Sequence, residues 1–366
     1  MEIRIDKAKL LEGVQKVQGI VEVKGTMPVL SYLLMVAEND GVGIQATNLE
    51  VGTRGFCEAN VVSEGKVALN ARKLHDILRE LPNEEVHLQK EENHWVTLKC
   101  GKAVFRLPGM PAADFPPFPE FSKEPLIKFK GGDLKEMIRK TMFSVSPDET
   151  RKGISGLLLE KEDGFVSMVG TDGHRLAYIR RVAEGVKGEK EEFLLPKKAF
   201  SELLKFIEED EAIFNFSAKD NHLAFIQGSQ VLVSRAIEGK FPNYRQVIPR
   251  DNQMKVSVNK DGLLHALKRV ALLADEQSRM VRFEIHKGGL TLVSDNTELG
   301  AAREELSINH QGEEVKIGLN ARYVLDILGV IEQEEVVMNL KDKDHSCLFS
   351  TTKDPDYLSL VMPMRL

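Results

Sequence analysis

The chain has 366 residues, of which 42% are apolar and 29% are charged, and this composition is typical of a soluble globular protein with several cores. We find no apolar run near the roughly 18 residues of a membrane span and no signal-peptide core, so we expect neither a helical membrane protein nor a secreted one. The net charge of −6 argues against a simple nucleic-acid binder, and three scattered cysteines favour a cytoplasmic protein with reduced thiols.

The first predicted elements are a strand and an amphipathic helix. The N-terminal residues alternate as in a strand, and Asp6 is placed to cap the helix that follows. Leu10 and Val14 belong to the apolar stripe of this helix, while Lys9 and Lys16 fall on its opposite side. The helix therefore packs by one face and presents cations on the other.

Alternating segments follow the helices. Val29–Met35 and Val281–Ile285 alternate between apolar and polar residues, and turns such as Asn39–Gly41 and Lys287–Gly289 separate such segments. These patterns predict half-buried antiparallel strands. We expect two helices and six to eight strands in each third of the chain.

A helix that corresponds to the N-terminal helix is predicted about 125 residues further along the chain. Asp133 is its expected cap, and Leu134 and Ile138 share its apolar face. Arg139 and Lys140 are expected to point away from that face into solvent.

The same segments recur three times along the chain. An amphipathic stretch with similar residues begins at Leu69, Leu195 and Leu319, which are 126 and 124 residues apart. A second marker recurs every 124 residues: Thr47-Asn48-Leu49, Thr171-Asp172-Gly173 and Asp295-Asn296-Thr297. A period of this length is the size of a domain and not of a solenoid repeat.

The repeat predicts an α+β chain built from three tandem copies of one two-helix, antiparallel-sheet domain. The copies are expected at residues 1–122, 123–250 and 251–366, and the first helix of the third copy at about Lys260–Leu273. The stretches Pro108–Pro125 and Pro242–Asn252 are expected to connect the copies.

The six repeated helices differ in charge from the rest of the chain. Together they carry +8, so that all other residues carry −14. Cations on one side of an acidic body are typical of a protein that holds a polyanion on one face. Solvated helix faces that carry Lys and Arg for solubility are the alternative interpretation.

Only Thr171–Arg175 resembles a catalytic cluster, because it combines an acid, a base and a cation. The other copies have Asn48 and Asn296 where this segment has Asp172, and Asn replaces Asp in a turn but not in acid–base catalysis. Phosphate-loop, nucleophile-elbow and zinc-site motifs are missing from the sequence. We therefore expect a turn, no enzyme activity, no cofactor and no metal; an enzyme that uses Asp172 and His174 is the minor alternative.

The sequence resembles the bacterial DNA polymerase III beta subunit family, the replicative sliding clamps. The resemblance covers the whole chain, and its most specific parts are three motifs: Thr171-Asp172-Gly173-His174-Arg175-Leu176, Phe241-Pro242-Asn243-Tyr244-Arg245 and Val361-Met362-Pro363-Met364-Arg365-Leu366. Asn320 with Tyr323–Asp326 also fits the family. The resemblance implies a non-enzymatic head-to-tail homodimer that forms a six-domain ring on duplex DNA, tethers the polymerase for processivity and is loaded by an ATP-driven complex.

The size of such a ring follows partly from helix packing. If packed helices lie roughly 9 Å apart and are about 10 Å wide, six helices leave a hole of about 7 Å, whereas twelve leave about 24 Å. A duplex about 20 Å across fits only the larger hole. Two chains of three copies, and not one, therefore match the expected function.

By resemblance, the residues expected to face DNA are basic: Lys24, Arg72, Lys73, Arg139, Lys140, Arg151, Lys152, Lys197 and Lys198. For each one a solvated surface charge is the alternative. The segment Lys152–Gly156 departs from the usual continuation of the family. Sliding requires attraction to phosphate without base readout, which a weakly basic lining provides.

The family also implies a groove for short peptide motifs of the polymerase III alpha subunit, the clamp loader, other polymerases and repair proteins. Its expected residues lie in the second and third copies: Ile154, Thr171, Gly173, His174, Arg175, Leu176, Pro242, Arg245, Val247, Asn320, Tyr323, Ser346, Val361, Met362, Pro363, Met364 and Arg365. Flexible methionines adapt to different partner side chains. For Val361 and Met364, closure of the third core is an equal alternative, and for the whole chain a scaffold that binds no nucleic acid stays open.

Overall fold

The computed structural model describes residues 1–21, 27–183, 185–249 and 254–366. It contains two compact units, one of Met1–Gly132 with Lys198–Ala236 and the other of Asp133–Lys197 with Ile237–Leu366. Lys24 and residues 250–252 of the expected second connection lie outside the described residues.

The first repeat contains two helices, α1 (Lys7–Gln18) and α2 (Ala71–Glu80). Its strands are β1 (Glu2–Asp6), β2 (Tyr32–Glu38), β3 (Gly41–Thr47), β4 (Val51–Glu58), β5 (Asn60–Ser63), β6 (Gly65–Asn70), β7 (Glu85–Lys90), β8 (Val96–Cys100), β9 (Ala103–Leu107) and β10 (Gly109–Met110). Ten strands exceed the six to eight expected, because two short edge segments, β5 and β10, also pair.

The second repeat contains α3 (Gly131–Met142) and α4 (Lys197–Leu203). Its eight strands are β11 (Ile127–Lys130), β12 (Gly156–Glu162), β13 (Phe165–Thr171), β14 (Arg175–Val182), β15 (Glu191–Pro196), β16 (Ile213–Lys219), β17 (His222–Gln227) and β18 (Gln230–Arg235).

The third repeat contains α5 (Lys260–Val270), which a short 3-10 turn extends to Leu273, and α6 (Ala321–Leu328). Its eight strands are β19 (Met254–Asn259), β20 (Met280–His286), β21 (Gly289–Asn296), β22 (Gly300–Ser307), β23 (Val315–Asn320), β24 (Glu335–Leu340), β25 (Cys347–Ser350) and β26 (Tyr357–Val361).

All strand pairs between these strands are antiparallel, and the same two strand orders occur three times. One order is β6-β2-β3-β4, β15-β12-β13-β14 and β23-β20-β21-β22; the other is β1-β7-β8-β9, β11-β16-β17-β18 and β19-β24-β25-β26. Sheets of successive repeats join, because β4 pairs with β18 in the first unit and β14 with β26 in the second. The predicted α+β fold of tandem copies is confirmed.

Short polar side chains begin four of the helices. Asp6 accepts hydrogen bonds from the first turn of α1, and Asn70, Asn259 and Asn320 do the same for α2, α5 and α6. The prediction that Asp133 caps α3 is wrong. That helix begins at Gly131, so Asp133 lies inside its first turn, where a carboxylate favours the positive end of the helix dipole.

Apolar faces of the sheets and helices form the cores. Leu10, Val14 and Leu74 are fully buried in the first unit, as are Leu267 and Val324 in the second. Cys57, Cys100 and Cys347 are free thiols. Among the described helices, none has the length and apolarity that crossing a membrane requires.

Candidate partner groove and cationic surface

The segment expected to be a turn between β13 and β14 is a turn. Asp172 Oδ1 accepts hydrogen bonds from the amides of His174 and Arg175, at 2.9 and 3.0 Å. Asn48 Oδ1 accepts from the amides of Glu50 and Val51 in the same way, at 3.2 and 2.8 Å. The carboxylate of Asp172 is thus a backbone acceptor, as the side-chain amide is in the first copy.

The third copy repeats this turn, because Asn296 Oδ1 accepts from the amides of Glu298 and Leu299. Gly173 has a φ of +92°, and Leu49 occupies the same position in the first copy with a φ of +74°. A non-glycine residue is therefore tolerated there. Glycine in the second copy removes a side chain from the surface beside His174.

Arg175 is buried beneath this turn. Its Nε donates to Asp172 Oδ2 at 3.0 Å, its Nη1 to Asp326 Oδ2 at 2.6 Å, and its Nη2 to the carbonyl of Phe143. The guanidinium also lies over the ring of Tyr323, 4.4 Å from the centroid. With its donors engaged inside the protein, Arg175 supports the walls of the groove.

The C-terminal residues run beside His174. Val361 pairs with Arg175 across β14 and β26 and is fully buried. The Met362 amide donates to the carbonyl of His174, and the Met364 amide to the carbonyl of Gly318, each at 2.8 Å. Backbone bonds therefore hold this segment against both β14 and β23.

The side chains around this segment differ in exposure. Ile154, Thr171, Leu176 and Ser346 are buried; Asn320, Tyr323, Pro363 and Met364 are half-buried; Gly173, His174, Met362 and Arg365 are exposed. Asn320 Nδ2 donates to the carbonyl of Ser278 while Oδ1 caps α6. Burial raises the pKa of the Tyr323 phenol, so it stays protonated at neutral pH.

Arg151 lies at the same turn. Its Nη1 donates to the carbonyl of Asp172 at 2.9 Å, and its Nη2 lies 3.1 Å from where a Cβ on Gly173 would be. The structure therefore places the exposed Arg151 guanidinium beside the candidate groove, and its expected DNA contact stays a prediction.

Pro242, Arg245 and Val247 are exposed at the other end of this surface. The neighbouring Phe241 and Tyr244 pack in one apolar cluster with Leu176 and Leu360. A pocket of about 240 Å³ lies between this segment and the start of β12, next to Leu158.

A buried carboxylate holds Arg245. Glu160 is 1% exposed, accepts hydrogen bonds from Arg245 and from Tyr244 Oη at 3.3 Å, and forms an ion pair with Lys190 at 2.8 Å. Arg245 also donates to Glu162, which lowers the pKa of that carboxyl. Burial raises the pKa of Tyr244 to about 12. Arg245 is therefore an ion-pair anchor of its loop, and the expected peptide contacts of Pro242, Arg245 and Val247 stay predictions.

The cationic residues expected to face DNA include exposed and buried side chains. Arg72 and Lys73 are exposed on the first turn of α2, and Lys197 and Lys198 on the first turn of α4. Arg139 and Lys152 are also exposed. The three helices α2, α3 and α4 thus carry accessible cations.

The prediction that Lys140 points into solvent is wrong. Lys140 is 4% exposed, and its Nζ lies 2.6 Å from Glu136 and 2.8 Å from Asp354. Arg181 contacts the same two carboxylates. Burial favours the protonated form of Asp354, but hydrogen bonds from Arg181 and Lys140 outweigh it and lower the pKa of this carboxyl.

Sequence reasoning missed the acidic partners of these cations. Asp326, Glu160 and Asp354 are distant in sequence from the arginines and lysines that they hold, so no short motif reveals them. In the described part of the chain, no three or more His, Cys, Asp or Glu residues form a group that could hold a metal ion.

Known proteins match this arrangement over its whole length. Models of the DNA polymerase III beta subunit match in three parts: the N-terminal domain at residues 1–119, the central domain at 128–243 and the C-terminal domain at 245–365. The chain belongs to the DNA polymerase III beta subunit family. The predicted resemblance is thereby confirmed.

Beta sliding clamps of two organisms illustrate the similarity. The Pseudomonas putida protein is 32% identical over 367 residues and the Caulobacter vibrioides protein 33% identical over 375, and in both cases the match covers 100% of each chain. The solved beta subunit from Pseudomonas aeruginosa has a TM-score of 0.95 at 32% identity, with 100% of each chain covered.

A solved clamp from Caulobacter crescentus, with a TM-score of 0.93 at 32% identity and 100% coverage of each chain, has polyethylene glycol bound to a region described as tethering the β-motif. The protein studied here is accordingly a DNA sliding clamp, a non-catalytic processivity factor.

Proposed function

We propose that two copies of this chain close into a ring around duplex DNA by pairing β9 of each chain with β22 of the other. The observation that supports this is the rule by which successive repeats join. The last strand of one sheet, β4 or β14, pairs with the last strand of the next repeat, β18 or β26. In the third repeat, β22 has the position that β4 and β14 have in theirs. In the first repeat, β9 has the position that β18 and β26 have in theirs. In the described part of the chain, β9 and β22 are both edge strands, with no neighbouring strand on one side.

The side chains at these two edges suit an interface. Val104 and Phe105 on β9 are 62% and 36% exposed, and Leu272 and Leu299 beside β22 are 77% and 51% exposed. Free edges with exposed apolar side chains invite pairing with another chain. The dimer covers both edges, and its order of repeats is head to tail. Residues 1–122, 123–250 and 251–366 are then the three domains that each of the two chains contributes to the six-domain ring.

The exposed cations on the helices provide the DNA-facing surface. Arg72, Lys73, Arg139, Lys197 and Lys198 are accessible for phosphate contacts, while the chain as a whole is acidic. Such a distribution attracts the DNA backbone without base readout and permits sliding. Arg151 and Lys152 are retained in this set, and the buried Lys140 is removed from it.

Partner proteins are proposed to bind at the surface formed by the Asp172 turn and the C-terminal segment. Exposed His174 and Met362 lie next to each other, and buried Leu176 pairs with Leu360 in the apolar cluster beside them. The polymerase III alpha subunit, the clamp loader, other polymerases and repair proteins are the proposed partners, through short peptide motifs. The polyethylene glycol in the Caulobacter crescentus structure supports a tethering region in that relative.

A cytoplasmic location follows from this role. The three cysteines are free thiols, as expected in a reducing compartment.

Topology of the bound complex tests the ring. Protein loaded onto nicked circular DNA is expected to stay bound in high salt and to be released when the circle is cut. A conventional DNA binder is released by salt whether or not the circle is cut, because its affinity depends on phosphate contacts. Retention that is lost in high salt and is unaffected by cutting the circle would contradict encirclement of the DNA.

A substitution at the groove tests partner binding. His174→Ala is expected to weaken binding of a polymerase alpha-subunit peptide by about tenfold, which is about 1.4 kcal/mol. Retention on circular DNA should be unchanged. His345→Ala is the matched control, since His345 is half-exposed and hydrogen-bonds only within its own loop. Loss of DNA retention in His174→Ala would contradict the assignment.

A further inference from the structure

An open pocket of about 410 Å³ lies on the β6-β2-β3-β4 sheet of the first repeat, outside the groove described above. Leu34, Val36 and Phe56 form its apolar part, and Arg54 and Lys66 lie at its rim. Phe56 is 43% exposed. The volume is within the usual range for ligand pockets.

Strand pairings identify the residues of the second repeat that correspond to those lining this pocket. Val36 pairs with Gly43 and Lys66, as Glu160 pairs with Ser167 and Glu192. Val36 is therefore the counterpart of Glu160. By the same pairings, Arg54 is the counterpart of Tyr178.

In the second repeat this place is occupied by an ionic cluster. Tyr244 packs on Tyr178, and the next residue, Arg245, reaches Glu160 and Glu162. Lys190 pairs with Glu160 and Glu192. The side chains of that repeat thus fill their own pocket.

In the first repeat this cluster is only partly reproduced, by the pair of Lys66 and Glu38. Phe118 lies on Arg54 as Tyr244 lies on Tyr178, at 5.0 Å from guanidinium to ring centroid. The next residue is Pro119, which has no long cationic side chain, and Val36 offers no carboxylate. The pocket consequently remains open, with Val36 and Phe56 on its apolar side and Glu38, Asn39 and Gln45 among its polar lining residues.

Arg54 determines the charge of the occupant. Its guanidinium lies between two aromatic rings, 5.0 Å from Phe118 and 5.9 Å from Phe121, which restricts its orientation. Lys66 already pairs with Glu38 at 3.4 Å. Within the described residues Arg54 has no carboxylate partner, so an acidic group from outside would complete it.

We propose that this pocket is a second docking surface, which binds a partner-protein segment with an aromatic side chain next to a carboxylate. The ring occupies the apolar side of the pocket at Val36 and Phe56, and the carboxylate pairs with Arg54. This surface lies in the first unit and uses none of the residues of the proposed groove in the second unit. One chain would then hold two different partner segments at once.

A labelled peptide with the sequence Gly-Asp-Phe-Asp-Gly provides the probe, and fluorescence anisotropy provides the measurement on the full-length protein. We expect saturable binding with a Kd of roughly 0.1 to 1 mM. Peptides with Ala in place of Phe, or Lys in place of both Asp residues, should bind at least about fivefold more weakly. Equal binding of the three peptides, or no saturation by the first, overturns the proposal.

Two variants locate the binding. Arg54→Gln removes the charge, and Gly43→Leu fills the pocket from its floor, where a Cβ on Gly43 would meet no atom closer than 3.8 Å. Each should weaken the Gly-Asp-Phe-Asp-Gly peptide by at least about fivefold. Arg4→Gln, an exposed arginine paired with Glu85, is the matched control and should bind normally. Loss of binding in His174→Ala instead would assign the peptide to the other groove and refute the second surface.

Discussion

At the scale of single residues, Arg175 shows how one buried side chain can support a binding surface. It joins Asp172 of the turn, Asp326 of α6 and the carbonyl of Phe143. Arg175→Met is expected to destabilise the second unit by about 3 kcal/mol, because it leaves two carboxylates without their cation. Hydrogen exchange of the β14 and β26 amides measures this loss.

Arg180→Met is the control for that substitution. Arg180 pairs with Asp356 at 2.7 Å, but both side chains are about 40% exposed, so the pair is screened by water. We expect a loss of about 1 kcal/mol or less. Equal losses of stability in the two variants would show that the buried contacts of Arg175 stabilise the unit no more than the exposed pair of Arg180 does.

The ion cluster around Asp354 predicts a dependence of stability on pH. The folded-state pKa of Asp354 lies below its usual value of 3.8, so its ionised form stabilises the fold above that value. This contribution is lost as the pH falls through the folded-state pKa. Asp354→Asn should therefore be less stable than the parent at pH 7 by about 3 kcal/mol, and the difference should shrink below about pH 4.

Urea unfolding of the parent and the variant at several pH values provides the measurement. Asp356→Asn is the control, because its partner Arg180 is exposed and no buried lysine loses its counter-ion. A stability difference for Asp354→Asn that stays constant from pH 7 to about pH 2 would mean that this carboxyl has an ordinary pKa.

At the scale of elements, the repeated helix caps are the clearest link from sequence to structure. Asn70 Oδ1 accepts from the Lys73 amide at 3.0 Å and begins the helix that carries two of the proposed DNA-facing cations. Asn70→Ala should destabilise α2 by about 1 kcal/mol, and exchange of the Lys73 amide should become about fivefold faster.

Asn70→Asp tests the cause, since aspartate is an equally good cap and should restore protection. Asn93→Ala, which removes a turn hydrogen bond to Trp95 in the same unit, should leave the Lys73 amide unchanged. Faster exchange throughout the first unit in Asn70→Ala would indicate a general effect and not loss of a cap.

At the scale of the whole molecule, dimer formation decides whether the repeats can form a ring. Phe105→Asp places a charge on the free β9 edge and is expected to convert the dimer to the 41.0 kDa monomer at micromolar concentration. Sedimentation velocity measures the change. The parent should remain a dimer below micromolar concentration.

Val182→Asp is the matched control, because Val182 is 73% exposed at the end of β14 and belongs to neither proposed edge. It should remain a dimer. A monomeric parent, or equal dissociation of both variants, would contradict pairing between β9 and β22.

The sequence by itself determined the repeated parts of this protein. The three Asx turns and the cap at Asp6 were predictable because each depends on hydrogen bonds within a few residues. Apolar periodicity likewise predicted the helices, since burial of one face follows directly from spacing. The family followed from local motifs for the same reason, because their residues are adjacent in the chain.

Only the tertiary structure decided which charged side chains are exposed. Lys140 and Arg139 are neighbours in sequence, yet Lys140 is buried because Asp354 lies beside it, 214 residues away in the chain. Arg175 and Arg245 are held in the same way, by Asp326 and Glu160. Helical spacing gives the direction of a side chain but not the charge that folding brings against it.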